Sequence, residues 1–438
     1  MARSKQSRVF TIIRGLLLFV LAMAAVRPSQ AQTFTVLHTF MGGADGAGPA
    51  AGLTRDAAGN FYGTTIDGGS DTCSASGCGT VYKLVRHGSS WVLNTIYEFT
   101  STNHGPFNPA ARIIFGPDGS LYGTTVNGGY CNGQWCGAVF KLQPPATFCR
   151  SVMCPWTLTL LHQFAGGDDG AFPYSDLVFD PSGNIYGTTS GDGDSSCMVI
   201  PGVSGCGTVF ELTRNADGTW TNHTLYEFQG GSDGGRPFAG VVLDQTGNLY
   251  GVTAYGGIGP CNNNFGCGSV FELSPSGSGW VEATLHQFTG GADGGAPFGG
   301  LMFDHMGNLY GAASYGGAGL GTVYELTPNQ GSWNFNVIYT FTGTQADGPE
   351  SALMMDAAGN LYGTSVAGGN NQGFGTVYKL TPSASGWSYT SLHDFDLGND
   401  GGLLYGSVAL DANGNVFGVT GSGPYPFPDD GVLFEITP

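Results

Sequence analysis

Charge is scarce in this sequence. Only 11% of its 438 residues are Asp, Glu, Lys or Arg, and 14 basic against 32 acidic side chains leave a formal charge of −18. A surface so poor in cations repels phosphate backbones and anionic lipid heads, so nucleic-acid and membrane-surface binding are not expected. Long hydrophobic runs are short as well: the apolar stretch Gly15–Val26 falls below the roughly 20 residues that cross a bilayer as a helix. A helical fold is excluded by 77 Gly and 22 Pro, which break helices and favour turns. With 41% hydrophobic and 12% aromatic residues, the chain is too apolar for disorder. A packed, turn-dense fold remains. The strong catalytic signatures are missing too. There is no nucleophile elbow set between strand and helix, no H-E-x-x-H, no phosphate loop ending in Lys-Ser/Thr and no dinucleotide fingerprint.

The first 31 residues read differently from the rest. Arg3, Lys5, Arg8 and Arg14 precede Gly15–Val26, and Ser29-Gln30-Ala31 follows with small residues flanking a break. This is the pattern of a secretory signal peptide over residues 1–31, with a mature chain starting at Gln32. The expectation is a secreted or periplasmic cell-envelope protein, monomeric and not inserted in a membrane once the leader is removed.

Self-similarity dominates the remainder. The string Gly-Asn-Leu-Tyr-Gly returns with small changes and places an aromatic ring at Tyr62, Tyr122, Tyr186, Tyr250, Tyr310, Tyr362 and Phe417. Around each copy lie four strand-like segments, in the fourth copy 240–244, 248–253, 269–273 and 281–288. The first two are joined by Asp-x-x-Gly-Asn, as in Asp180-Pro181-Ser182-Gly183-Asn184, where Asp and Gly take their preferred places in a type I turn. A Trp near the start of the fourth segment recurs at Trp91, Trp156, Trp220, Trp280, Trp333 and Trp387. Short strands at this spacing predict an all-β, seven-bladed propeller of four-stranded antiparallel blades over residues 32–438. The last copy stops after its third segment, and residues 34–40 have the character of a fourth. The N-terminal strand is therefore expected to complete blade 7 and close the ring.

These motifs, Asn-Leu-Tyr-Gly-Thr-Thr, then Gly-Gly, then Gly-Thr-Val-Phe/Tyr-Glu/Lys-Leu, resemble the GloVer (Gloeo/Verruco) repeat of exported bacterial tandem-repeat proteins. They are more loosely similar to NHL-type propeller blades. The resemblance spans nearly all of residues 34–438 and implies export and a repeat architecture. It carries no agreed reaction and no catalytic residues.

Ten cysteines fall into five close pairs: Cys73 with Cys78, Cys131 with Cys136, Cys149 with Cys154, Cys197 with Cys206, and Cys261 with Cys267. An even count in an exported chain predicts local disulfides. Four pairs should staple loops between second and third strands. The pair Cys149–Cys154 should interrupt the link between the third and fourth strands of blade 2.

Ligand candidates lie on the face carrying those loops. A recurring Asp-Gly places Asp45, Asp169, Asp233, Asp293, Asp347 and Asp400 around one rim, where carboxylates can attract Ca²⁺ or a cationic ligand, although Asp-Gly is also a turn pair in its own right. Tyr130, Trp135, Tyr255 and Tyr315 offer aromatic faces that stack on sugar rings or anchor a protein. Arg112 and Glu350 break the repeat pattern near first strands and are expected to face the central channel. His38, His162, His286 and His393 alternate with Tyr97, Tyr226 and Tyr339 at one position of the fourth strand, which suggests packing with a polar tip. No cofactor is expected beyond Ca²⁺. Two functions follow: a non-catalytic binding scaffold for a glycan, protein or cell-envelope component, or a carbohydrate-active or lactone-cleaving propeller enzyme working through a channel-mouth carboxylate.

Overall fold

The computed structural model describes residues 32–73, 76–129, 131, 134–145, 155–197, 199, 204–261, 265–277, 279–370, 373–423 and 430–438. The expected leader, Tyr130 and the Cys149–Cys154 pair lie outside the described residues. Seven four-stranded antiparallel sheets are arranged as blades. Blade 4 shows the plan with Val242–Leu243, Leu249–Thr253, Ser269–Ser276 and Gly279–Gln287. The first strand is shorter than its sequence suggests, because only two residues pair before the aspartate turn. The hairpin between third and fourth strands is longer, with Pro275 opposite Trp280 and Ser276 opposite Gly279.

Burial explains the strand identities. Every residue of Leu249–Thr253 is buried, whereas Gly279–Gln287 alternates between exposed and half-buried positions. Second strands sit between neighbouring blades, and fourth strands form the outer edge of the disc. The hydrophobic core is correspondingly divided into seven clusters. Each cluster draws on two adjacent blades, as where Tyr250 and Val270 of blade 4 meet Leu309 and Tyr324 of blade 5. No blade hides its apolar faces alone, and fully burying one such side chain is worth about 1.5–3 kcal/mol.

The ring closes through its ends. Thr33–Thr39 pairs antiparallel with Val432–Thr437, setting Phe34 opposite Ile436 and Val36 opposite Phe434. Phe40 then enters the cluster shared by blades 7 and 1, beside Phe61, Tyr82 and Phe417.

Neighbouring blades are also stitched at the backbone. Just before each first strand, Gly48, Asn108, Phe172, Arg236, Ala296, Gly348 and Leu403 adopt left-handed backbone conformations, with φ between 50° and 64°. The turn aims each N–H at a carbonyl of the preceding blade. Asn108, Phe172, Arg236 and Ala296 bond the carbonyls of Cys78, Cys136, Cys206 and Cys267 in that order. Those cysteines belong to the disulfides Cys73–Cys78, Cys131–Cys136, Cys197–Cys206 and Cys261–Cys267. In blades 1 to 4 the expected staples therefore hold the acceptors of inter-blade hydrogen bonds. Four disulfides mark the chain as one matured in an oxidising environment outside the cytoplasm. Among the described residues, no helix is long and apolar enough to cross a membrane.

Candidate functional site

The rim aspartates are committed to the fold. His38 Nε2 lies 3.0 Å from Asp45, His162 3.0 Å from Asp169, His286 3.1 Å from Asp293 and His393 2.8 Å from Asp400. The Tyr226 hydroxyl takes the same part toward Asp233 at 3.1 Å. Each of these carboxylates also accepts a backbone N–H four residues upstream, such as Gln229 to Asp233 at 2.7 Å. Burial pushes Asp169 up, but bonds from His162, Ala165 and Asn222 outweigh it and hold its carboxyl below the ordinary range. The four histidines and Tyr226 are therefore anchors for the turn.

Asp347 departs from the set. The loop into blade 6 is one residue shorter between its Phe and Pro, and Gln345 accepts the Thr342 N–H at 3.0 Å in the carboxylate's place. Asp347 instead pairs through its backbone with Ala367, and burial raises its pKa. The rim carboxylates do not converge on a shared centre. Among the described residues, the group of potential metal ligands lying close together is Cys131, Cys136 and Asp192, and both cysteines are spent on their disulfide.

Arg112 and Glu350 do line the channel, in a cavity of ≈ 250 Å³, but they play different parts. Arg112 donates its backbone N–H and its Nε to the two oxygens of Asp176, each at 2.9 Å, which ties blade 2 to blade 3. Among the described residues Glu350 has no hydrogen-bond partner, and burial raises its pKa to about 7. A carboxyl poised there changes protonation near neutrality and can donate or accept.

Around Glu350 the channel mouth is aromatic on one side. The residue that opens the channel-lining segment is Ala50 in blade 1, Ala110 in blade 2, then Tyr174, Phe238, Phe298, Glu350 and Tyr405 in blades 3 to 7. Tyr174 and Phe238 ring centres lie 5.5 Å apart, and Phe238 and Phe298 5.6 Å. Tyr255, opening the loop between second and third strands of blade 4, packs 6.3 Å from Phe238 and 6.2 Å from Phe298. Burial raises the Tyr255 hydroxyl, which Arg236 pulls down and Tyr315 and Glu350 push up. Tyr174, Tyr315 and Tyr405 remain 40%, 47% and 45% exposed, so the wall is open to a ligand.

The structure thus brings Tyr255, Tyr315 and Glu350 to one mouth and leaves Arg112 bound in the channel. Trp135 packs on Phe107 and His104, with ring centres 5.3 and 5.7 Å away, and covers the loop of its own blade. Tyr174, Phe238, Phe298, Tyr405 and Asp176 carry no motif of their own. The signal that finds them is a column of the repeat: the residue after each loop proline is small in blades 1 and 2 and aromatic in blades 3 to 5.

No curated protein matches the chain. A solved structure described as a "putative gluconolactonase" is 14% identical, covers 84% of this chain and 99% of its own, and superposes with a TM-score of 0.39. The model of the Gloeobacter/Verrucomicrobia repeat matches residues 24–259 and 261–438. The chain belongs to the Gloeobacter/Verrucomicrobia repeat family.

Proposed function

We propose that the chain is an exported binding protein whose ligand is a glycan, held at the aromatic channel mouth on the face of the disulfide-stapled loops. The observation that carries this reading is the wall of Tyr174, Phe238, Phe298 and Tyr405 around the cavity, with the two tyrosines open to solvent. Sugar rings present C–H faces that pack on aromatic rings, and hydroxyls that bond polar groups beside them. Glu350, unpaired at the same mouth, supplies such a group. Calorimetric titration of the mature chain against a glycan panel tests the reading. A bound glycan should lose about tenfold or more in affinity on Phe298→Ala, and binding unaffected by that change would move the ligand elsewhere.

A second reading has one observation in its favour. The Glu350 carboxyl lies near neutrality, as a general acid or base requires, and a hydrolase acting on a glycoside or lactone would use it. Turnover of such substrates that vanishes in Glu350→Gln would support catalysis. Saturable binding without turnover leaves the scaffold.

A further inference from the structure

Arg236 is at odds with its surroundings. Its backbone is left-handed, with φ 57°, where the matching positions of blades 1 and 6 use Gly48 and Gly348. The residue is 9% exposed, and Nε and Nη1 are closed off without a hydrogen-bond partner among the described residues. Nη2 makes no hydrogen bond either, yet is not among the closed-off atoms. The guanidinium carbon lies 5.6 Å from the centre of the Phe238 ring. The groups that feel its charge are the hydroxyls of Tyr255 and Tyr174, and no carboxylate is among them.

Two of these features weaken the free protein, and the Phe238 ring beneath the guanidinium offsets only part of the cost. A left-handed non-glycine residue is strained, and a desolvated cation without a counter-charge is disfavoured. Other blades share the left-handed backbone at this position but not the unpaired charge: Asn108, φ 57°, turns its amide to the Ile66 carbonyl at 2.7 Å, and Ala296, φ 50°, carries no polar group. A costly group held in place by a binding wall points to a ligand that completes it. Here the missing partner is an anion.

Building on the glycan reading, we propose that the mouth takes an acidic sugar, a uronate unit whose carboxylate accepts a hydrogen bond from Arg236 Nη2 while its ring lies on the aromatic wall. A singly charged carboxylate suits the site better than a phosphate. One guanidinium nitrogen is offered, not a fork, and the Glu350 carboxyl, whose charge also reaches Tyr255, opposes a dianion. The sugar hydroxyls would then meet Glu350, so that the two polar groups of the mouth read opposite ends of one residue.

The test is titration of the mature protein with oligomers of galacturonate, glucuronate and mannuronate, each compared with its methyl ester, which keeps the ring and removes the charge. One of the acids is expected to bind about tenfold or more tighter than its ester. In Arg236→Gly that preference should disappear, while the melting temperature stays level or rises because strain and unpaired charge are both removed. Equal binding of acid and ester by the native protein overturns the acidic-sugar proposal and leaves the glycan reading standing. So does a preference that survives Arg236→Gly, or displacement of the acid by inorganic phosphate at equal concentration. Failure of acids, esters and neutral glycans alike overturns both.

Discussion

One carboxylate, that of Asp176, receives both the backbone N–H and the Nε of Arg112, each at 2.9 Å. The pair is asymmetric. Removing the arginine side chain leaves the backbone bond intact, whereas removing the carboxylate frees both donors at once. Asp176→Ala is therefore expected to cost about 1–2 kcal/mol and Arg112→Ala about 1 kcal/mol or less, since the pair is about one-third exposed. Denaturant melts of the two variants check the order, and equal losses would refute it.

In three blades the ring under the repeat glycine is a tyrosine, and its hydroxyl is buried unpaired: Tyr82, Tyr324 and Tyr378. Blades 2, 3, 4 and 7 use Phe140, Phe210, Phe271 and Phe434 at the same place. Replacing Tyr378 by Phe should raise stability by about 1 kcal/mol or more, as an unsatisfied buried hydroxyl is removed with no loss of ring packing. Calorimetric melting of the single and triple variants measures it.

The glycine facing that ring has no such freedom. A Cβ on Gly363 would lie 2.4 Å from the Tyr378 hydroxyl oxygen and 2.5 Å from its ring. Gly363→Ala should destabilise by about 1–3 kcal/mol through overpacking. Combining it with Tyr378→Phe removes the hydroxyl but not the ring, so the double variant should recover only part of the loss.

Acidity should favour this fold at the channel mouth. Glu350 holds its proton up to about 7, against 4.5 for an ordinary glutamate, so the folded state binds more protons than the unfolded chain between those values. Its contribution to stability is then undiminished below about 4.5 and falls away as pH rises through about 7. Glu350→Gln should flatten that part of the pH–stability curve and raise the melting temperature at pH 8. The tyrosines facing Glu350, Tyr255 and Tyr405, are pushed upward and do not titrate in this window. A curve identical to that of the native protein would contradict the assignment.

Much of the architecture is legible in the sequence because each device is repeated. The ring at Tyr62 and its counterparts, the Asp-x-x-Gly-Asn turn and the unpaired segment at residues 34–40 together specify blades and closure. In the turn, Asp56 accepts both the backbone and side-chain N–H of Asn60 at 2.8 Å, as the spacing of the two residues implies. The mouth is harder to read because it depends on differences between copies. Arg112 and Glu350 stand out equally as charges, yet only the fold shows that Asp176, one blade on, neutralises the arginine while nothing neutralises the glutamate. Asp347 looks like its neighbours until a one-residue shortening hands its task to Gln345. Phe238 and Phe298 are ordinary hydrophobic residues in sequence and become a wall only when consecutive blades place them side by side.

The sheet that joins the two ends has a consequence for how the chain is made. Thr33 and Thr437 bond across a separation of 404 residues, so the first strand to leave the ribosome must wait for the last before it finds its neighbour. Until then blade 7 has only an exposed edge at each end of a growing arc, the kind of surface that recruits other chains. Assembly of this disc is thus governed by its slowest and most distant contact, and shedding Thr33–Thr39 would leave six blades built and the circle open.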